Sequence, residues 1–134
     1  MITPLVLPYP PSLNRLWRAK KNVLYRSERY LNWLDDAKRA MKRQPVQHYT
    51  GKVDVWIMAK RPDRRARDID NLSKPILDLL ENQNVIVNDH FVETLVLWWT
   101  YREDAWGVSV WIEDNTYEWP FAEMLHRYQQ AAKS

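Results

Sequence analysis

At 134 residues, with 46% apolar and 28% charged content, the chain has the size and composition of one folded domain spanning residues 1–134. It has no Cys, which excludes disulfides and cysteine-held metals and suits a reducing cytoplasm, while its short apolar runs and the lack of a signal-peptide pattern predict no membrane partner. The net charge of +3 is spread unevenly: residues 1–74 hold 17 Lys and Arg against 7 Asp and Glu, whereas residues 75–134 hold 3 against 10, so the front half is suited to a polyanion.

Thr3 to Leu7 predicts a first strand, stopped by Pro8, Pro10 and Pro11. From Ser12 to Arg29 the chain is basic and reads as irregular, with Arg15, Arg18, Lys20, Lys21, Arg26 and Arg29 interleaved with Trp17 and Tyr25. That mixture suits phosphate binding with occasional base stacking, and equally a loop whose aromatics pack on the core. Ser27 is placed to cap a helix with Tyr30, Leu34, Ala37 and Met41 on one face and Pro45 beyond its end. Lys52 to Ala59 alternates, Val53, Val55, Ile57 and Ala59 to one side and Asp54, Trp56 and Met58 to the other, which predicts a strand. Phe91 to Tyr101 predicts a longer strand that sends Trp98 and Trp99 to opposite faces, and Val108 to Glu113 a further one. Arg102 to Trp106 is expected to join these two as a hairpin, with Gly107 easing the turn. Pro120 opens a closing helix with Phe121, Leu125, Tyr128 and Ala132 along one side, a C-terminal extension over about residues 116–132. The order strand, helix, strand, helix, strand, strand, helix predicts an α+β domain with a mixed sheet covered by helices.

The chemistry concentrates between Lys60 and Asp89. A cationic run, Lys60, Arg61, Arg64, Arg65 and Arg67, is followed by Asp68 and Asp70 and then by Lys74. Ile69, Leu72, Ile76, Leu79 and Leu80 recur at helical spacing, predicting a helix from about Asn71 to Glu81 with Asp70 as its N-cap. Such a helix advances the chain roughly 17 Å. Asn84 tolerates the left-handed conformation that a turn needs, and Val85 to Asp89, if extended, returns roughly 16 Å. Asp89 is thereby expected beside Asp70.

Three carboxylates brought together repel one another unless a cation joins them. A hard ion such as Mg²⁺ takes oxygen ligands, keeps waters and bridges to substrate phosphate, where it can activate water and stabilise a leaving oxygen. Lys74, one turn beyond Asp70, is placed to neutralise charge on that phosphate. Each part has a plainer reading: a cap and a loop acid, an ordinary i,i+4 pair, a solvated arginine loop. Their joint occurrence on one loop–helix unit favours metal-dependent cleavage of a nucleic acid. A calcium loop of the EF-hand type is excluded, since no Gly stands six positions along from Asp68 and the twelfth position is Leu79.

Pro62-Asp63-Arg64-Arg65, the run Arg67-Asp68-Ile69-Asp70-Asn71-Leu72, and Lys74, Asp78, Leu80 and Asn88-Asp89 together resemble the core motif of the RusA Holliday-junction resolvases. The likeness extends to Pro10-Pro11-Ser12 with Asn14-Arg15, and covers most of residues 2–113. Two positions depart from the pattern: Asn88 stands where an Asp is common, and Pro75 interrupts the helix one turn in, removing a bond to the Asn71 carbonyl if Asp70 is the cap. The resemblance implies Asp68, Asp70 and Asp89 as magnesium ligands and Lys74 as a catalytic cation. Asn14, Arg15, Arg61, Arg64, Arg65, Arg67 and Asn71 are the expected DNA contacts. It further implies a homodimeric, structure-selective endonuclease that resolves four-way junctions by paired nicks in DNA recombination and repair. Two other functions fit the same residues: a non-catalytic branched-DNA-binding module, and a flap or branched-DNA nuclease on the same scaffold.

Overall fold

The alternating stretch Val53–Lys60 forms a strand, and the sheet is built around it. The computed structural model describes residues 4–11, 17–20, 23–26, 28–115 and 121–133. In chain order the strands are β1 (Leu5–Leu7), β2 (Trp17–Lys20), β3 (Val23–Arg26), β4 (Val53–Lys60), β5 (Val92–Thr100) and β6 (Val108–Asp114). The helices are α1 (Glu28–Lys42), α2 (Ser73–Asn82) and α3 (Phe121–Lys133). Four strands make one mixed sheet in the order β1-β6-β4-β5, with β4 antiparallel to β6 and parallel to β5. Parallel neighbours require a crossover, which residues 61–91 supply through α2. The domain is therefore α+β, as its pattern predicts.

The two faces of β4 separate two apolar clusters. Val53, Val55, Ile57 and Ala59 lie against Tyr30, Trp33, Leu34, Ala37 and Met41 of α1 and Ile76, Leu79 and Leu80 of α2, all buried. Trp56 and Met58 point the other way, toward Trp98, Trp111 and Ala131 of α3. Trp98 stacks on Trp111 with ring centroids 5.8 Å apart and receives Tyr128 edge-on at 4.9 Å. Such aromatic pairs add about 0.5–1.5 kcal/mol beyond their burial. Trp99, on the opposite face of β5, packs against the first cluster. Buried Asp54 accepts a hydrogen bond from Asn115 Nδ2 at 2.8 Å, the pairing that a buried polar group requires. At the sheet edge the Gln44 side chain substitutes for a missing strand: it accepts from the Val6 N–H at 2.8 Å and donates to the Val6 carbonyl at 2.7 Å.

Several local expectations are corrected. The basic segment read as irregular contains the antiparallel pair β2–β3, short strands that charge masks in a period-two pattern. β5 and β6 do not form a hairpin, because β4 lies between them; two strands adjacent in sequence here each pair with a central third. The helix begins as a 3-10 turn, Ile69–Leu72, before α2 proper. Asp70 lies inside that turn and is not the cap. The extended residue before it is Asp68, whose side chain makes no capping bond, while Ser73 Oγ donates to the Asp70 carbonyl at 2.9 Å. Pro75 is consequently the third residue of α2, in its first turn, where a proline is tolerated. Val85 to Asp89 is not extended. The Val85 N–H closes back onto the Leu80 carbonyl at 2.8 Å, burying Val85 and Ile86, and a second 3-10 turn runs Asp89–Phe91. Leu125 is exposed, and among the described side chains of α3 it is Tyr128, Ala131 and Ala132 that cover the second cluster, the Phe121 side chain lying outside them. The expected cap Ser27, and Thr3 and Pro120, lie outside the described residues.

Candidate DNA and metal site

The loop that follows β4 carries the cations, and its own residues fix their geometry. Asp63 is the clasp. Its Oδ1 accepts from the Arg65 backbone N–H at 2.9 Å, and its Oδ2 accepts from Arg67 NH2 at 2.9 Å and from Arg65 Nε at 3.2 Å. The Arg67 hydrogen bond and the Arg65 amide hold the Asp63 carboxyl below its usual range. The two ends of the loop are pinned by aromatic faces. The Arg61 guanidinium lies over the Trp99 ring at 4.4 Å and Arg67 over the Tyr9 ring at 5.5 Å. Tyr9 and Trp99 are themselves stacked at 6.4 Å, with an interplanar angle of 11°. Burial pushes the Tyr9 hydroxyl up, and Arg67 and then Arg61 pull against that rise.

The four arginines are therefore not equivalent, which the sequence does not reveal. The Arg67 side chain is only 23% exposed, whereas Arg65 is 77% exposed. Arg64 is exposed, and no ion pair among the described residues uses it. Arg64 and Arg65 form the accessible tip, and Arg61 and Arg67 its anchored ends. Asn14 and Arg15 lie outside the described residues. Asn71 is half-buried and lines a groove of about 820 Å³ with Tyr9, Pro10, Arg29, Arg65 and Asp68. The groove runs from the proline segment after β1, past α1, to the first turn before α2.

Asp68 and Asp70 flank the start of that 3-10 turn and Asp89 opens the second one. All three carboxylates are exposed, and no hydrogen bond among the described residues uses any of them. They are not gathered into one cluster: among the described residues no three His, Cys, Asp or Glu side chains meet at a metal-holding distance. The return strand assumed for residues 85–89 is replaced by a bend, and three exposed like charges repel. What the fold does bring together is Asp89 and Lys74. Lys74 Nζ donates to Asp78 at 2.9 Å, and that bond chiefly raises the Lys74 pKa, with Asp78, Asp89 and Glu81 adding their fields. Glu81 also accepts from the Asp89 backbone N–H at 3.3 Å, fixing the second turn to the end of α2. Asn88, which stands where an Asp is common in the motif, caps that turn: its Oδ1 accepts from the His90 N–H at 3.1 Å. The chemistry of Asp68, Asp70 and Asp89 suits a hard divalent cation, since their carboxylate oxygens are free of competing bonds, although the three do not meet at a ligating distance.

Asp63, Glu81, Tyr9 and Trp99 organise the site, and of these only Asp63 stands out in the sequence. Asp63 was visible as an acid inside an arginine run. Trp99 carried no signal beyond its alternation, because its partners are distant in sequence.

A family model described as endodeoxyribonuclease RusA matches residues 8–113. The chain is similar to the crossover junction endodeoxyribonuclease of Enterobacteria phage HK97, 36% identical over 76 residues, covering 56% of this chain and 63% of the relative. It is similar to that of Aquifex aeolicus, 35% identical over 89 residues, covering 64% of this chain and 68% of the relative. With the protein of the same name from Escherichia coli K12 it shares 31% identity over 86 residues, 63% of this chain and 72% of the relative. The matched stretch thus spans about two thirds of each relative.

Proposed function

The chain belongs to the RusA endodeoxyribonuclease family, and from that premise we propose that it is a magnesium-dependent endonuclease resolving four-way DNA junctions by paired nicks. The observation that carries this reading is the meeting of opposites on one crossover: an anchored cationic loop that runs straight into Asp68 and Asp70, and Asp89 within the field of Lys74, with no described side chain bonded to any of the three carboxylates. A module that only binds DNA gains nothing from anions at its phosphate site.

Asp68, Asp70 and Asp89 would hold the metal. When bound, Mg²⁺ supplies an activated water and charge for the leaving oxygen. The remaining work falls to the chain. Arg64 and Arg65 hold the backbone phosphates of one junction arm, as guanidiniums do through paired donors. Arg61 and Arg67 keep the loop in place while adding positive field. Lys74 is held as a cation by Asp78, so it faces the scissile phosphate charged and stabilises the negative charge that grows there. Two nicks in strands of like polarity require two such sites related by a two-fold axis, which a homodimer provides. Junctions of this kind arise in DNA recombination and repair within the cytoplasm, and no described helix is long and apolar enough to cross a membrane.

Incubation of an end-labelled four-way junction with the protein tests this reading. Nicked duplex should form with Mg²⁺ and not with EDTA. Junction bound but uncut in Mg²⁺ would favour the binding module, and equal cutting of flaps and junctions would favour a broader branched-DNA nuclease.

A further inference from the structure

Two residues outside the motif are built into the cationic loop. Tyr9 comes from the proline segment after β1 and Trp99 from the far end of β5, the edge strand of the sheet. Between them they carry Arg61 and Arg67, the two ends of the loop: Arg61 lies over the Trp99 ring, Trp99 and Tyr9 are near-parallel, and Arg67 lies over the Tyr9 ring. Resting on the assignment of the loop to DNA, we propose that Trp99 and Tyr9 are positioning residues for phosphate recognition, holding the loop preformed so that Arg64 and Arg65 meet DNA already placed.

Residues 61–68 contain no helix or strand, and Arg64, Arg65 and Ala66 at the loop tip are exposed. A free loop with that charge density spreads, because its guanidiniums repel, and ordering it on DNA costs entropy that weakens binding. Three features oppose the spreading. Asp63 draws in Arg65 and Arg67. The Trp99 face takes the Arg61 cation and the Tyr9 face takes the Arg67 cation. The Lys60 ammonium, at the loop's first step, donates to the Arg102 carbonyl at 2.6 Å. The stack joins the two loop ends through a rigid pair of rings, so the tip residues have little freedom left. Arg67 is also committed there: its Nε is buried without a hydrogen-bond partner among the described residues, a cost that only a fixed position sustains. A core-filling Trp would need apolar neighbours alone, whereas Trp99 shares its face with a cation.

Trp99→Leu keeps apolar bulk and removes the ring; Trp99→Phe keeps a ring. Junction affinity would be measured in EDTA, where cleavage plays no part, across a series of salt concentrations. Trp99→Leu should weaken binding about 5- to 30-fold, and its salt slope should fall because misplaced arginines release fewer counterions. Trp99→Phe should stay within about threefold of wild type. Hydrogen exchange without DNA should speed up in the 61–68 peptide of Trp99→Leu and not in β4. Tyr9→Leu should reproduce the loss, and the double variant should lose no more than about twice as much as either single one, since both act through one stack. Wild-type affinity in Trp99→Leu, or equal damage from Trp99→Phe, would overturn the proposal. A wild-type chain that binds no junction would remove the parent reading and this one with it, whereas a binding wild type with an unaffected Trp99→Leu removes this one alone.

Discussion

Gly107 shows how much one residue settles. Its φ is +60°, and a Cβ built there would lie 2.1 Å from the Leu7 carbonyl oxygen. Its own carbonyl accepts from the Lys60 N–H at 2.9 Å, the last rung before the basic loop. Any side chain must push β1 away from the start of β6. Gly107→Ala should therefore cost about 2–4 kcal/mol of stability, combining unfavourable φ with a backbone clash. Urea unfolding measures this, and a change below about 0.5 kcal/mol would contradict the geometry. The sequence marks Gly107 as a turn residue. It does not show that the partner is Leu7, a hundred positions earlier, which only the sheet order reveals. Asn84 behaves as its type predicts, with a φ of +59° after α2.

At the scale of elements, the loop and the first turn of its helix are where sequence and structure part. Periodicity finds α1, β4, β5, β6 and α2 because each buries one face in a regular rhythm. It misplaces the start of the helix, since a 3-10 turn and an α-helix both bury Ile69 and Leu72 at nearby spacings. It fails over Val85 to Asp89, where apolar residues fill the core from an irregular bend. The loop itself makes a pH prediction. Asp63 has a pKa held below its ordinary value of 3.8, chiefly by the Arg67 hydrogen bond. A lowered carboxylate pKa stabilises the folded state above the unfolded value and loses that contribution as pH falls through the folded one. The Asp63 clasp should thus be intact at pH 5 and open at pH values well below 3.8. The Arg65 amide, bonded to Asp63 at 2.9 Å, reports on it. Its NMR shift should titrate with a midpoint below 3.8, and a midpoint at or above that value would contradict the clasp.

For the whole molecule, the uneven charge of the two halves of the sequence becomes a spatial statement only through the crossover, which brings Asp89 of the second half within the field of Lys74 of the first. Family membership was legible because the motif is local, running from Pro62 to Asp89. A homodimer is expected from the family resemblance alone, because interfaces leave no periodicity of their own. The β5 strand carries apolar side chains on both faces, and α3 covers the Trp98 face from within the chain. Leu95 on β5 and Leu125 on α3 are among the apolar side chains left exposed. A homodimer is still required by the proposed chemistry. Sedimentation equilibrium at micromolar concentration should give twice the chain mass of 16.2 kDa, and a monomer mass would leave paired nicking without two sites.

The central claim is that the carboxylates beside the anchored arginine loop cut the DNA that the loop holds. Asp70→Asn tests it most directly, since it removes one proposed metal-holding charge and leaves Arg64, Arg65 and the Asp63 clasp in place. Cleavage of a four-way junction in Mg²⁺ should fall by at least about a thousandfold, while junction affinity stays within about threefold of wild type. Cutting at the wild-type rate would contradict the site.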